Sequence, residues 1–154
     1  MCQGVSIHLS NISEQDIARY QLADRIVSRG GECKELHFMY GKRPAELPVV
    51  YSGQLIVCEW GNRGRSRLPR SGWCSMEALE AGKWRELQPE RVQIPASFGF
   101  ERGVWYQITQ GIRGVLVRDE RERLHAYVLT TQASHYYQIM TRSSRMPVLI
   151  EQEI

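Results

Sequence analysis

The pattern of hydrophobic and polar positions predicts one amphipathic helix near the N-terminus. Ser13 is a suitable N-cap, and acidic residues follow it in the first turn. A broken apolar stripe then runs from Ile17 to Ile26, and the pair Gly30-Gly31 ends it. We expect this helix to pack on a sheet.

Residues 48–61 predict a β-hairpin followed by a loop. Two β-rich runs, 49–51 and 55–60, flank the turn dipeptide Ser52-Gly53. Residues 62–73 are rich in glycine, serine, proline and arginine, which is typical of an exposed loop. Residues 75–79 are expected to start a short helix.

Beyond residue 90 the pattern is mainly that of β-strands. The candidate strands are 92–94, 104–108, 114–117, 126–129 and 148–150. A helix is expected within 131–140, capped by Thr131 or Ser134. The chain therefore predicts a single α+β domain over residues 1–154, with antiparallel sheet dominant and a few peripheral helices.

Composition agrees with one globular domain. The 154 residues are 42% hydrophobic and 24% charged. No apolar run approaches the roughly 20 residues that span a bilayer, and the N-terminus has no signal-peptide pattern. We expect a cytoplasmic location and no membrane partner.

The cysteines predict neither a metal site nor a disulfide framework. Cys2, Cys33, Cys58 and Cys74 form no Cys-x-x-Cys pair, and their spacing fits no zinc module. Reduced thiols are expected, and no cofactor is implied.

The basic residues are almost all arginine. Lys34, Lys42 and Lys83 are the lysines, so 17 of the 20 basic residues are arginine, on a net charge of +3. Arginine suits bidentate phosphate contacts, although a GC-rich genome gives the same bias. The arginines of the predicted loop could follow a nucleic-acid backbone or simply be solvated; they are Arg63, Arg65, Arg67 and Arg70.

Short segments spread along the chain resemble a known family. The chain begins M-C, residues 48–50 read P-V-V ahead of W-G at 60–61, residues 94–101 read I-P-A-S-F-G-F-E, residues 129–131 read L-T-T, and residues 145–149 read R-M-P-V-L. In this order they resemble signatures of the SRAP family, the SOS-response-associated peptidases that process abasic sites in DNA. The resemblance implies a SRAP-like, barrel-like domain.

The resemblance also implies a chemistry for Cys2. In that family autocatalytic removal of the first methionine exposes an N-terminal cysteine, which cross-links to abasic sites in single-stranded DNA. Its α-amine, with a reference pKa near ~7.7–8.0, can attack the sugar aldehyde. The thiol can then close a stable thiazolidine ring, so the lesion is shielded.

Further residues match family positions. Glu101 corresponds to the glutamate that handles the proton of the amine, or it is a surface residue beside Arg102. Arg145 corresponds to a phosphate contact, or it pairs with a surface acid. Trp60 could stack on an unpaired base, although core packing is the commoner role for such a residue.

Departures from the family leave two alternatives open. The N-A-R-x-E segment is absent near residues 71–77, and the histidine before R-M-P is replaced by serine or threonine, so that His135 is the remaining candidate imidazole. One alternative is a degenerate, inactive binding module, for which a phage or prophage is a natural home. The other is a cysteine hydrolase built on Cys2 or Cys74.

Overall fold

Strands dominate the computed structural model, which describes residues 1–31, 33–64 and 66–154. These residues form the strands β1 (Gly4–His8), β2 (Ile26–Ser28), β3 (Lys34–Met39), β4 (Glu46–Tyr51), β5 (Gln54–Trp60), β6 (Trp73–Ser75), β7 (Glu90–Ile94), β8 (Phe98–Glu101), β9 (Val104–Gln107), β10 (Ile112–Arg118), β11 (Leu124–Gln132) and β12 (Arg145–Pro147). The α-helices are α1 (Glu14–Arg19), α2 (Met76–Glu80) and α3 (His135–Thr141).

Five strands close into a small barrel. Their order is β10-β7-β4-β5-β11, and β10 pairs with β11 to complete the ring. β6 and β12 extend β11 outside the ring. β5 and β6 run parallel to β11, whereas the other pairings are antiparallel. The predicted α+β class, with a mainly antiparallel barrel and few helices, is confirmed.

A second sheet shares the barrel's core. Its order is β2-β3-β1-β8-β9, and all its pairings are antiparallel. Val5 of β1 and Phe38 of β3 are buried in the same cluster as Val49 of β4 and Ile94 of β7. Each such side chain stabilises the fold by about 1.5–3 kcal/mol. β1 and β8 are therefore fixed against the barrel, which matters for the chain's first residues.

A smaller cluster lies on the outer face of β10 and β11. Because side chains alternate along a strand, Val117 and Tyr127 face outward where Leu116 and Ala126 face the main core. Leu68 is buried in this outer cluster. The irregular segment between β5 and β6, residues 61–72, is thereby anchored to the barrel; we call it the arginine loop.

Local signals read from the sequence are confirmed at turns and caps. Ser52 and Gly53 have φ values of 50° and 77°, as a type I′ hairpin turn requires. The hydroxyl of Ser13 accepts the N–H of Asp16, and that of Ser75 caps α2 in the same way. Ser134, rather than Thr131, caps α3.

Two predicted elements are wrong. The N-terminal helix does not reach Gly30: it ends at Arg19 because Gln21 takes a left-handed φ of 56°. Ile26–Ser28 then forms β2, whose backbone bonds with β3 replace a further helical turn. The last strand is Arg145–Pro147 instead of 148–150, where Leu149 forms only an isolated bridge with Ile112. Across the described residues no helix is long and apolar enough to cross a membrane.

Candidate active site at the N-terminus

Strand pairing brings the chain's first residues to the end of β8. Gly4 lies opposite Phe100, and the N–H of Gln3 donates to the Phe100 carbonyl at 2.7 Å. The backbone N–H of Arg102 donates in turn to Oε1 of Gln3 at 3.0 Å. This register places Met1 and Cys2 beside Glu101, which is the next residue of β8.

Glu101 is a buried carboxylate paired with the N-terminus. Its side chain is 2% exposed, and Oε2 lies 2.9 Å from the Met1 ammonium. Oε1 lies 3.7 Å from the exposed Arg102 guanidinium. Oε2 accepts no hydrogen bond of good geometry from the described residues. A buried carboxylate is costly without a cation, and the Met1 ammonium supplies that cation.

Ser143 is the second residue that contacts the Met1 amine. The Met1 ammonium donates to Ser143 Oγ at 2.6 Å, and that hydroxyl donates to the Arg145 carbonyl at 3.0 Å. Arg142, with a left-handed φ of 59°, ends α3 and turns the chain toward the N-terminus. Ser143 lies just before the R-M-P segment, in the stretch where serine or threonine was expected in place of an imidazole.

A cavity of about 310 Å³ opens around the amine. Its walls are formed by Met1, Gln3, Trp73, Glu101, Arg102, Arg142, Ser143, Ser144 and Arg145. Trp73 is fixed by its indole N–H, which donates to the Cys2 carbonyl at 2.8 Å. With three arginines on one wall and one carboxylate at the base, the cavity suits an anionic ligand that also carries a group reactive toward amines.

The Cys2 thiol lies in the protein core, next to Met1 in the chain. It is fully buried, and its S–H donates to the Gly4 carbonyl at 3.1 Å. Burial raises the pKa of the thiol, and a hydrogen bond from Tyr106 partly offsets that effect. With Met1 in place the thiol is therefore neutral and shielded.

The cysteine-hydrolase alternative finds no support in the geometry. Burial raises the pKa of Cys74 to about 12, and its S–H faces the Ser75 carbonyl. In the described part of the chain neither Cys2 nor Cys74 hydrogen-bonds to a histidine. Such a hydrolase needs a thiolate activated by an adjacent base.

Arg145 lines the cavity but is engaged by an acid. Its guanidinium donates to Oε1 and Oε2 of Glu77 at 3.3 and 2.7 Å, and to the Thr130 carbonyl at 3.0 Å. Glu77 is exposed, so the pair is open to water. A phosphate can exchange with this carboxylate, because both accept two N–H bonds from arginine.

Two predicted site residues lie elsewhere. His135 begins α3, is exposed, and does not line the cavity. Trp60 is fully buried, and its indole N–H donates to the Gly72 carbonyl at 2.9 Å. Trp60 thus packs in the core, and its ring is not available to stack on a base.

The arginine loop is only partly connected to the cavity. The guanidinium of Arg63 lies 3.9 Å above the Tyr40 ring, whose centroid is 4.6 Å from that of Trp73 in the cavity wall. Arg67 instead lies 3.8 Å from Glu120 on the β10–β11 turn, and Arg70 is exposed. Arg65 lies outside the described residues.

The described residues contain no cluster of three or more His, Cys, Asp or Glu side chains that could hold a metal ion. No protein-family model, curated protein or solved structure matches this chain.

Proposed function

We propose that the protein acts in the response to DNA damage by binding single-stranded DNA at an abasic site and cross-linking to it through Cys2. One observation carries this proposal. The N-terminal ammonium lies 2.9 Å from the buried Glu101 carboxylate, at the base of a cavity walled by arginines. This amine belongs to Met1; the nucleophile is the Cys2 amine one residue along the chain, which would be freed next to the same carboxylate and arginines when Met1 is removed.

The reaction begins once the Met1–Cys2 peptide bond has been hydrolysed. The free Cys2 amine adds to the aldehyde carbon of the open abasic sugar, and loss of water leaves a C=N bond. The sulfur then adds to that carbon, while the thiol proton passes to the nitrogen. The thiazolidine ring that results retains every other atom of both reactants and needs no cofactor.

Glu101 suits the proton transfers of this sequence. An ammonium has no lone pair, so the amine must lose a proton before it attacks the aldehyde. The Glu101 carboxylate can take that proton and later return it to the departing hydroxyl. Ser143 Oγ, which accepts from the Met1 ammonium at 2.6 Å, would be a second acceptor for an N–H of the amine once Met1 has left.

The cavity also fits the lesion. A sugar without a base is small enough to enter about 310 Å³, and its flanking phosphates would meet the arginine wall.

A second candidate is non-covalent binding of the same DNA by a degenerate domain. The sequence has serine or threonine where the resemblance would place an imidazole, and the Cys2 thiol is buried. Serine cannot act as a general base near neutral pH as histidine can. The arginine wall would remain a DNA-binding surface.

Cross-linking to an abasic single strand tests the proposal. Protein shown by intact mass to lack Met1 is incubated with an oligonucleotide that holds one aldehydic abasic site. We expect an adduct stable to heat and detergent that is absent with Cys2→Ala and retained with Cys58→Ala, a matched buried cysteine. A tetrahydrofuran analogue, which has no aldehyde, should bind without cross-linking. Equal binding of both DNAs with no adduct would favour the second candidate.

A further inference from the structure

Helix α3 exposes two large apolar side chains beside the N-terminal cavity. Tyr136 is 67% exposed and Ile139 is 66% exposed, whereas the other exposed large hydrophobic residues of the described chain, Met1 and Val27, reach only 42% and 37%. Single exposed apolar residues are common on protein surfaces, but an adjoining pair indicates a contact surface.

The opposite face of α3 fixes the direction of this pair. Tyr137 and Thr141 are buried, and the Tyr137 hydroxyl donates to the Tyr106 hydroxyl at 3.1 Å. The Thr141 hydroxyl donates to the Tyr137 carbonyl at 2.8 Å. Because these two residues hold one face of the helix in the core, Tyr136 and Ile139 are held in the solvent on the other side.

The exposed pair continues the wall of the cavity outward. Tyr136, Ile139 and Arg142 follow one another at a spacing of three residues, which places successive side chains of a helix about 5–6 Å apart on one face. Arg142 ends α3 and lines the cavity. A strand whose lesion lies in the cavity therefore has the pair within reach of its next bases.

The charge of this region favours a nucleic acid as the occupant. From residue 123 to residue 150 the sequence has no acidic residue, and Arg142 and Arg145 flank the pair on the cavity side. Aromatic rings stack on unpaired bases while arginines bind phosphates. A stable protein interface needs about 800 Å² from each partner. A helix of seven residues, about 10 Å long, offers far less apolar surface than that.

We propose that Tyr136 and Ile139 form a stacking surface for a base that flanks the abasic site. Such a base has lost its stacking partner on the side of the lesion, so one of its faces is open to the Tyr136 ring. Ile139 packs against the same nucleotide. This inference rests on the proposed binding of abasic single-stranded DNA and adds how the strand is held outside the cavity.

Fluorescence anisotropy with a single strand that holds one tetrahydrofuran site tests this surface. For Tyr136→Ala we expect the dissociation constant to rise about tenfold, as for loss of one stack between a base and an aromatic ring. Tyr136→Phe keeps the ring and should stay within about twofold of wild type. Ile139→Ala should weaken binding less than Tyr136→Ala. Val27→Ala is the matched control, because it shortens an exposed apolar side chain on β2, and it should have no effect.

A second DNA separates stacking from a general loss of binding. In this strand the bases on both sides of the tetrahydrofuran site are also replaced by tetrahydrofuran. Wild type then has no flanking base to stack on, so wild type and Tyr136→Ala should bind it equally, within about twofold. Restoring the base on one side at a time should restore the difference for the neighbour that stacks.

Three results would overturn the inference while leaving the proposed function in place. They are wild-type affinity in Tyr136→Ala, a tenfold loss that persists on the strand without flanking bases, and a dimer that Tyr136→Ala dissociates in light scattering with DNA binding unchanged. The last result would assign the face to a second copy of the chain. Wild-type protein that binds neither strand would instead overturn the proposed function itself.

Cross-linking is a separate question from stacking. Wild-type protein that binds the tetrahydrofuran strand with the expected loss in Tyr136→Ala, yet forms no adduct with an aldehydic abasic site, would support the stacking surface and overturn the covalent step alone.

Discussion

The N-terminal cavity and the arginine loop both combine arginines with carboxylates, yet they differ in burial. Glu101 is 2% exposed and is held between the end of β8 and the N-terminus. Arg67 and Glu120 on the loop side are 61% and 51% exposed and lie 3.8 Å apart. Charges in a dry, fixed site interact several times more strongly than the same charges in water. Burial, rather than the number of arginines, therefore makes the cavity the stronger candidate site.

Replacing Glu101 should have the largest effect, because it removes the cavity's proton acceptor. For Glu101→Gln we expect the initial rate of adduct formation to fall about 100-fold or more at neutral pH. Glutamine keeps the shape of the side chain, so the fold should persist. Gel analysis of the cross-link measures the rate.

Glu120→Gln is the control, since it neutralises an exposed carboxylate beside the arginine loop. It should react within about twofold of wild type. A Glu101→Gln protein that cross-links nearly as fast as Glu120→Gln would remove Glu101 from the mechanism.

His125 should carry the largest effect on the loop side, and the effect should be on stability. The residue is 3% exposed, and its Nε2 lies 2.8 Å from Asp119 Oδ2, while Nδ1 lies 2.8 Å from the Gly61 carbonyl. It thus joins the start of the arginine loop to the β10–β11 turn. For His125→Ala we expect the free energy of unfolding to fall by about 3 kcal/mol in urea denaturation, because buried partners lose their bonds.

His135→Ala is the matched control, because that histidine is exposed at the start of α3. Its effect should stay within about 0.5 kcal/mol. Equal destabilisation by the two substitutions would mean that His125 does not anchor the loop.

The free energy of unfolding should depend on pH through the same interaction between His125 and Asp119. The hydrogen bond with His125 lowers the pKa of Asp119 to about 2 from 3.8. A lowered carboxyl pKa contributes stability that is present above the unfolded value and is lost as pH falls through the folded value. We expect wild type to lose about 1–2 kcal/mol through this group between pH ~4 and ~2.

The Asp119→Asn variant should not show this loss of stability at low pH, since an amide does not titrate. Thermal midpoints measured across this pH range for both proteins separate Asp119 from other acids. Parallel curves would contradict the role given to Asp119.

The elements that could be predicted from the sequence are those whose signals are local. The hairpin with Ser52-Gly53 and the capped helices α2 and α3 need only neighbouring residues to specify them. The helix after Ser13 was predicted too long because its apolar stripe does not distinguish a helical face from a strand that pairs with β3. Pairing between distant segments, such as β1 with β8, cannot be predicted from the sequence of either segment alone.

The candidate site shows the same division. Cys2, Glu101 and Arg145 were expected together from motif resemblance; the structure places Glu101 and Arg145 in the lining of the N-terminal cavity, whereas Cys2 is fully buried between the lining residues Met1 and Gln3 in sequence. Ser143 was missed as a site residue, because its contact with Met1 spans 142 positions of sequence. Trp60 was a candidate for base stacking through its match to the W-G segment, with core packing as the commoner alternative, and its position on β5 puts it in the core.

Arg145 should contribute to DNA binding through its guanidinium group, a planar fork of N–H donors that can bind a phosphate through two hydrogen bonds. With a tetrahydrofuran-containing single strand, which cannot cross-link, we expect Arg145→Ala to weaken binding about tenfold, and Arg145→Lys to weaken it less. Fluorescence anisotropy gives both dissociation constants. Glu77→Ala removes the carboxylate that occupies this fork and should not weaken binding. If Glu77→Ala weakened binding as much as Arg145→Ala, the ion pair would be structural and Arg145 would not contact phosphate.

Arg67 should have the smallest effect, and it gives the sharpest test of the difference between cavity and loop. Its side chain is 61% exposed and is held by one water-accessible carboxylate, so it can offer no more than a screened contact to a single phosphate. We expect Arg67→Ala to weaken binding about twofold in low salt and not measurably in high salt, with the salt slope reduced by less than about 1. Arg145→Ala should remain weakened in high salt, because its fork is partly buried. If Arg67→Ala matched Arg145→Ala at every salt concentration, the DNA would lie along the arginine loop, and the cavity would receive only the lesion itself.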